Sequence, residues 1–266
     1  MEIFEELNRR DTHPEDFHYL RERQRKRQFF LGLVAFVLAL LFLFTVTGRW
    51  LSVFSGPAFS FLRESWALQD DPLVRGSKDA VVQIYVDSRA GSQGGRIRGS
   101  GFNIMTDGLI VTNRHLLEEA TTVRVSFPNQ GTFVVGEWYL APDVDLAIIK
   151  LDSENLPTLS LTSEKVAEGD EVLVIGNPLQ FARIANKGTL IGFRQSAGYH
   201  YPQLILEAMI YPGSSGSPVM DMQGRVVGIV FATVRSSDPS TIQGLAVNSG
   251  DLILFLEELD IFIPTN

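Results

Sequence analysis

Two hydrophobic patterns divide the chain. From Phe29 to Thr47 the sequence FFLGLVAFVLALLFLFTVT runs nineteen residues without a charge. As a helix it spans about 28 Å at 1.5 Å per residue, close to the hydrocarbon thickness of a bilayer. It predicts one transmembrane helix over residues 29–48. Beyond Gly76 the pattern changes to short β-rich runs separated by turn formers. VVQIYV (81–86), FNIM (102–105), LIVT (109–112), TVRVSF (122–127), TFVVGEWYL (132–140) and LAIIKL (146–151) form a first set. Thr106-Asp107-Gly108 between two apolar runs predicts a hairpin, because glycine supplies the positive φ of a tight turn.

A polar stretch from Asp152 to Gly169, containing Pro157, reads as a linker between halves. The second set is EVLVIG (171–176), GTLIGF (188–193), QLILEAM (203–209), SPVM (217–220), RVVGIVFA (225–232) and GLAV (244–247). Many short strands at this spacing predict an all-β fold, as barrels or a sandwich, over residues 78–266. A short helix over 250–260 ends the pattern. Asn248, Ser249 or Asp251 can cap it, and Leu252, Phe255, Leu256 and Leu259 form its apolar stripe.

Charge orients the apolar run. Arg21–Arg27, RERQRKR, carries five cations and one glutamate just upstream, which places a tail over residues 1–28 in the cytoplasm. A cleaved signal peptide is the competing reading. Against it, the charged region before the run is 28 residues long, the run exceeds the usual signal core, and no small-x-small cleavage pattern after it is convincing. Residues 49–77, rich in aromatics such as Trp50, Phe54 and Trp66, form a juxtamembrane linker. They suit the headgroup level, the folded domain or a second subunit equally. The net charge of −8 argues against nucleic acid as a partner, and the absence of cysteine removes disulfides and thiolate metal sites.

Three stretches carry chemistry. In Tyr211-Pro-Gly-Ser-Ser-Gly-Ser-Pro218, glycines at 213 and 216 permit a sharp turn that exposes a hydroxyl. Ser215 is the candidate nucleophile, with the N–H groups of Gly213 and Ser215 as an oxyanion hole. Leu109-Ile-Val-Thr-Asn-Arg-His115 delivers a histidine at the end of an apolar strand, and imidazole is the natural base near neutral pH. Asp143-Val-Asp145 precedes another apolar strand. Asp145 adjoins that strand directly and is the chosen partner for the imidazole, with Asp143 as the fallback. Each stretch has an ordinary alternative: a Gly/Ser loop, a structural histidine, a solvated acid.

Ser100-Gly-Phe, Val111-Thr-Asn-Arg-His115, Asp145-Leu-Ala-Ile-Ile-Lys, Gly176-Asn-Pro and Pro212-Gly-Ser-Ser-Gly-Ser-Pro218 occur in the order seen in HtrA/Deg proteases, which this chain resembles over roughly residues 78–250. Gly188-Thr-Leu-Ile-Gly and Gly224-Arg-Val-Val-Gly-Ile also resemble that family's second barrel. The resemblance implies a chymotrypsin-like pair of six-stranded β-barrels, about 78–155 and 165–250, with the site in the cleft between them. It implies a serine endopeptidase using His115, Asp145 and Ser215, acting on polypeptides in envelope protein quality control or stress-related proteolysis, with no metal or organic cofactor. It also implies a homotrimer. The order His, Asp, Ser is that of the chymotrypsin arrangement.

The chain departs from the family pattern at Ser214 and Ser217, where Asn or Asp and Gly are usual. Ser214 cannot pair with a freed N-terminus, so activation by clipping is not implied. The residues after Gly250 are too few for the PDZ domain many relatives carry. By the resemblance the substrate pocket has Met209 as its floor, six residues before the serine, and Phe231 and Leu245 as walls. That set contains no acid and predicts an apolar residue before the scissile bond, although Glu207 lies nearby. With the N-terminus cytoplasmic, the protease domain lies on the extracytoplasmic side, the periplasm in a bacterial host, with the helix in lipid. A protease-fold scaffold that binds unfolded chains without cutting them is the reading from another class.

Overall fold

Several strands in residues 60–266, such as LIVT (109–112) and VLVIG (172–176), are apolar and buried on both faces, because each sheet curls round its own interior and also packs on the other. The structure, a computed structural model, describes residues 60–89, 95–235 and 242–263, with positions 31, 32 and 37. Apart from those three positions, the expected tail and membrane helix lie outside the described residues. Among the described residues no helix is long and apolar enough to cross a membrane.

The first sheet holds β1 (Val81–Ser88), β2 (Gly95–Asn103), β3 (Leu109–Thr112), β4 (Ala120–Phe127), β5 (Gly131–Val134), β6 (Glu137–Leu140) and β7 (Ala147–Lys150). Its order is β5-β4-β1-β2-β3-β7-β6. The second holds β8 (Ser160–Leu161), β9 (Glu171–Gly176), β10 (Ile184–Arg194), β11 (Gln203–Glu207), β12 (Pro218–Met220), β13 (Arg225–Arg235) and β14 (Ile242–Asn248). Its order is β12-β9-β10-β11-β14-β13-β8, and β12 pairs with β13 to close a six-stranded barrel.

The all-β, double-barrel expectation holds, with a different strand count. The run TFVVGEWYL breaks at Val135-Gly136 into β5 and β6, and no pairing closes the first sheet among the described strands. The stretch read as a linker contributes β8, parallel to β13, and buries Leu156, Leu159 and Leu161. Two residues of strand are too few to leave a periodic signal.

Alternate side chains of one strand serve different cores. On β9, Val172 and Val174 face the interior of the closed barrel, while Leu173 and Ile175 join the layer between the sheets. On β1, Val82, Ile84 and Val86 fill the first sheet's interior, whereas Val81 joins the shared layer. Phe102, Leu146, Ile148 and Leu161 complete that layer and are fully buried. Truncating such a side chain to alanine costs about 2–5 kcal/mol.

Part of the juxtamembrane linker is helical and packs on the folded domain, one of the three placements left open above. Helix α1 (Ser60–Ala67) is followed by α2 (Pro72–Lys78), where Asp71 accepts the Leu73 N–H and Pro72 takes the first turn. Ser65 is buried and accepts the Ala185 N–H at 3.1 Å; Glu64 accepts the Lys187 N–H at 2.8 Å. β11 joins β10 only from Thr189 onward, so these two donors lie on a stretch of β10 that β11 does not cover. At the other end α3 will be the histidine turn (Arg114–Leu117), and α4 (Ser249–Glu258) closes the domain. Asn248 caps α4 by accepting the Gly250 N–H at 2.9 Å, and Leu252, Phe255 and Leu256 are buried.

Candidate active site

His115 sits where a fully buried strand stops. β3 ends at Thr112, Asn113 begins the four-residue α3, and the buried Leu116 and Leu117 pin that turn to the first sheet. His115 is left 43% exposed in its side chain. The neighbours of His115 fasten the turn to the acid-bearing loop. Asn113 Nδ2 donates to the Asp145 carbonyl at 2.9 Å, and Arg114 donates to the carbonyls of Ala141 and Pro142 at 2.8 and 2.6 Å.

The Asp145 carboxylate grips His115 twice. Its Oδ2 is 2.7 Å from Nδ1, and its Oδ1 accepts the His115 main-chain N–H at 3.0 Å. An ionised carboxylate only accepts hydrogen bonds, so this geometry puts the imidazole proton on Nδ1 and leaves Nε2 as the basic nitrogen. Asp143, the fallback, is exposed instead.

The serine loop consists of two tight turns. Ser214 N–H donates to the Tyr211 carbonyl at 2.9 Å, and Ser217 N–H to the Ser214 carbonyl at 3.0 Å. Gly213 and Gly216 have φ of +96° and +83°, a region that favours glycine. Neither tolerates a Cβ: at 213 it would lie 2.6 Å from the Asn177 carbonyl oxygen, and at 216 it would overlap that of Ser100. Ser215 stands between them, half-buried.

Barrel one holds this loop through Ser100. Its N–H donates to the Ser215 carbonyl at 2.8 Å, its carbonyl accepts the Thr112 hydroxyl at 2.8 Å, and its own hydroxyl donates to the Gly213 carbonyl at 2.8 Å. Thr112 lies three residues before His115, so two hydrogen bonds tie the serine loop to the histidine strand. Asn177 locks the other side. Its N–H donates to Ser100 Oγ at 2.9 Å, its Nδ2 to the Val82 carbonyl at 2.8 Å, and its Oδ1 accepts the Arg183 N–H at 3.0 Å. Leu179 N–H donates to the Pro212 carbonyl at 2.9 Å. A trans peptide sets C=O and N–H on opposite sides, so the Gly213 N–H faces away from Leu179.

Residues 99–229 match the trypsin-like peptidase domain family. A probable periplasmic serine endoprotease, DegP-like, from Chlamydia pneumoniae is 34% identical over 157 residues, which are 58% of this chain and 32% of that protein. This chain thus spans about a third of that relative's length. The crystal structure of a serine endoprotease from Yersinia pestis is 27% identical with a TM-score of 0.59, covering 70% of this chain and 65% of its own. That of a protease from M. tuberculosis in its active form, at 24% identity, shares the fold with a TM-score of 0.62, covering 75% and 89%. Residues 99–229 are a trypsin-like peptidase domain of the HtrA type.

The departures from the HtrA pattern have visible consequences. Ser214 is buried and accepts the Tyr211 N–H at 3.4 Å, inside the loop. Ser217 is fully buried with no partner for its hydroxyl among the described residues. The expected pocket residues fall on three segments of barrel two. Met209 is partly buried after β11, and Leu245 is 2% exposed on β14 between Ile205 and Ala232. Phe231 is partly buried on β13 and stacks on Tyr199, with centroids 6.4 Å apart. Glu207 is exposed. Among the described residues no cluster of His, Cys, Asp and Glu could hold a metal ion.

The sequence reading missed Tyr199 and gave no physical role to Ser100 or Asn177, although both occur in the family blocks. Their functions depend on main-chain partners far away in the chain: Ser100 meets Gly213, Asn177 meets Val82, and the Tyr199 hydroxyl accepts the Asp145 N–H at 3.3 Å. For Asn177 a signal was available, since an asparagine between Gly176 and Pro178 after an apolar strand has no packing reason to be there.

Proposed function

We propose that this chain is a membrane-anchored serine endopeptidase that hydrolyses peptide bonds with His115, Asp145 and Ser215. The double grip of Asp145 on His115 is the observation that carries this reading. With Nδ1–H committed to the carboxylate, Nε2 takes the Ser215 proton as the hydroxyl oxygen attacks the substrate carbonyl. Asp145 stabilises the imidazolium that results, and the tetrahedral oxyanion rests on the N–H groups of Gly213 and Ser215. His115 then passes its proton to the leaving amine. Water repeats the sequence on the acyl-enzyme and releases Ser215.

The orientation of the Pro212–Gly213 peptide supports the oxyanion hole, because it leaves the Gly213 N–H turned away from its neighbour Leu179. Met209, Phe231 and Leu245 suit an apolar side chain before the scissile bond. The anchor is the uncharged run 29–48, with the tail 1–28 in the cytoplasm and the protease domain outside it, in keeping with the periplasmic relative. Substrates on that side are unfolded or membrane-associated polypeptides, and envelope quality control is the role this location suits. A homotrimer is the assembly the family resemblance favours.

The test is labelling of the full-length chain with a fluorophosphonate probe, which reacts with an activated serine. Label is expected on the wild type and absent from Ser215→Ala. His115→Ala should slow both labelling and casein cleavage by about three orders of magnitude or more. Equal labelling of the wild type and Ser215→Ala would overturn the nucleophile assignment, and casein cleavage at full rate by His115→Ala would overturn the base.

A further inference from the structure

Asp145 has two main-chain handles, and neither belongs to a β-ladder. It sits in the middle of a three-residue turn, with Leu146 N–H donating to the Val144 carbonyl at 2.8 Å. Its carbonyl accepts from Asn113 Nδ2, as described above. Its N–H goes to the hydroxyl oxygen of Tyr199 at 3.3 Å, a residue 54 positions away in the other barrel. Among the described residues this is the partner of that N–H.

Tyr199 is held on every side. Its ring stacks on Phe231 at an interplanar angle of 29°, and its carbonyl accepts from Gln195 Nε2 at 3.0 Å. The loop that carries it, residues 195–202, joins β10 to β11. At the loop's base, Arg194 Nε and Ser196 Oγ both donate to the buried Gln203 Oε1, at 3.0 and 3.1 Å. Beyond Tyr199, Asp251 Oδ1 accepts the N–H groups of His200 and Tyr201 at 2.9 and 3.3 Å. Asp251 is 2% exposed and lies in the first turn of α4. The loop also lies directly on the acid-bearing turn, since a Cβ at Gly198 would sit 2.8 Å from the Asp143 carbonyl oxygen. Burial, first among several influences, raises the Tyr199 phenol above its ordinary range, so the hydroxyl stays protonated at neutral pH.

We infer that Tyr199, clamped through its loop by Asp251, is a positioning residue that fixes the main chain of Asp145 so that both carboxylate oxygens meet His115. The inference rests on the triad reading given above. Two oxygens must reach two donors of one residue, His115 Nδ1 and N, and that requires a single direction for the Asp145 side chain. Asn113 fixes one end of the Asp145 residue and Tyr199 the other. Without the hydroxyl, the N–H end of the turn loses its anchor in a partly buried setting, and the carboxylate samples directions that serve one donor only.

The test compares the full-length wild type with Tyr199→Phe, which keeps the ring on Phe231 and removes only the hydroxyl. Measurements are kcat and KM on a peptide substrate, the rate of fluorophosphonate labelling, the thermal midpoint and the low-field proton resonance of the His115 Nδ1–H. A lost hydrogen bond predicts a fall of about five- to tenfold in kcat and labelling rate, with KM and the midpoint little changed and the low-field resonance shifted or broadened. Asp251→Ala, which frees the His200 and Tyr201 N–H groups, is expected to reproduce the kcat loss. Wild-type kcat and an unmoved low-field resonance in Tyr199→Phe, with the wild type labelled normally, would overturn the positioning role alone. A kcat loss that tracks a lowered midpoint, with the resonance unmoved, would also overturn it. A wild type that takes no label would remove the triad reading and this inference with it.

Discussion

Leu179 donates its N–H to the Pro212 carbonyl at 2.9 Å while holding a left-handed main chain, with φ of 51° and ψ of 28°. That conformation costs a non-glycine residue about 1–2 kcal/mol. The contact it makes possible turns the Pro212–Gly213 peptide so that its N–H faces away from Leu179, the direction the proposed oxyanion hole requires. Leu179→Pro removes the donor and forbids the positive φ. It is expected to lower kcat by about 10²- to 10³-fold, the usual effect of losing one oxyanion donor. Leu179→Gly takes the same conformation without the steric cost and should stay within a few-fold of the wild type. Single-turnover acylation rates distinguish the two, and equal rates for both variants would mean that the Leu179 N–H has no part in the hole.

Ser100 saturates its hydroxyl. It donates to the Gly213 carbonyl and accepts from both the N–H and the Nδ2 of Asn177, at 2.8, 2.9 and 3.2 Å, and it is fully buried. Ser100→Ala leaves buried donors and an acceptor without partners, each costing about 1–3 kcal/mol. A net loss of about 2–4 kcal/mol follows. Urea unfolding should show it as a lower midpoint at constant slope. Labelling of Ser215 should slow as well, because Ser100 also positions its loop.

How far these features were legible follows from where their partners lie. His115 and Asp145 could be read from the chain because each sits at the end of a strand whose apolar run is visible locally. Strands β9 and β13 were equally plain, being buried on both faces where the sheets meet. β2 was read only in its last two residues, because GRIRGSGFN carries three glycines, which weaken any strand pattern. The helices at 60–78 were taken as linker, although Asp71 followed by Pro72 is a helix-start signal. Tyr199 was beyond reach. Its partner is a main-chain N–H, and no residue type advertises that.

The same segment offers a local test. Ser65 Oγ and Glu64 Oε1 accept N–H groups of β10, at Ala185 and Lys187, on the stretch that β11 does not cover. An uncovered strand edge exposes donors to solvent or to another chain. Ser65→Ala should cost about 1–2 kcal/mol and speed amide exchange at Ala185, while exchange on the central strands β1 and β4 stays unchanged. Hydrogen exchange resolved by residue or short peptide would read this directly. Unaltered exchange at Ala185 would mean that α1 does not cover the edge in solution.

Asp251 makes folding depend on pH in a direction opposite to that of most surface acids. Burial is the largest influence on its carboxyl and raises its pKa, and the N–H groups of His200 and Tyr201, with the His200 ring 3.6 Å away, oppose that rise without cancelling it. Its second oxygen, Oδ2, is buried and has no partner among the described residues. The folded chain therefore holds this proton to a higher pH than the unfolded chain, whose aspartate titrates near about 3.9. Between those two values the native state binds more protons, so the Asp251 contribution to stability falls as pH rises. It is fully present below the unfolded value and lost above the folded one. Asp251→Asn keeps an acceptor for His200 and Tyr201 and removes the titration. Urea unfolding of both proteins from about pH 4 to 7 should show the wild type losing stability relative to Asp251→Asn as pH rises. A difference that stays constant, or that moves in the wild type's favour with rising pH, would mean the carboxylate is stabilised by its neighbours rather than strained by burial.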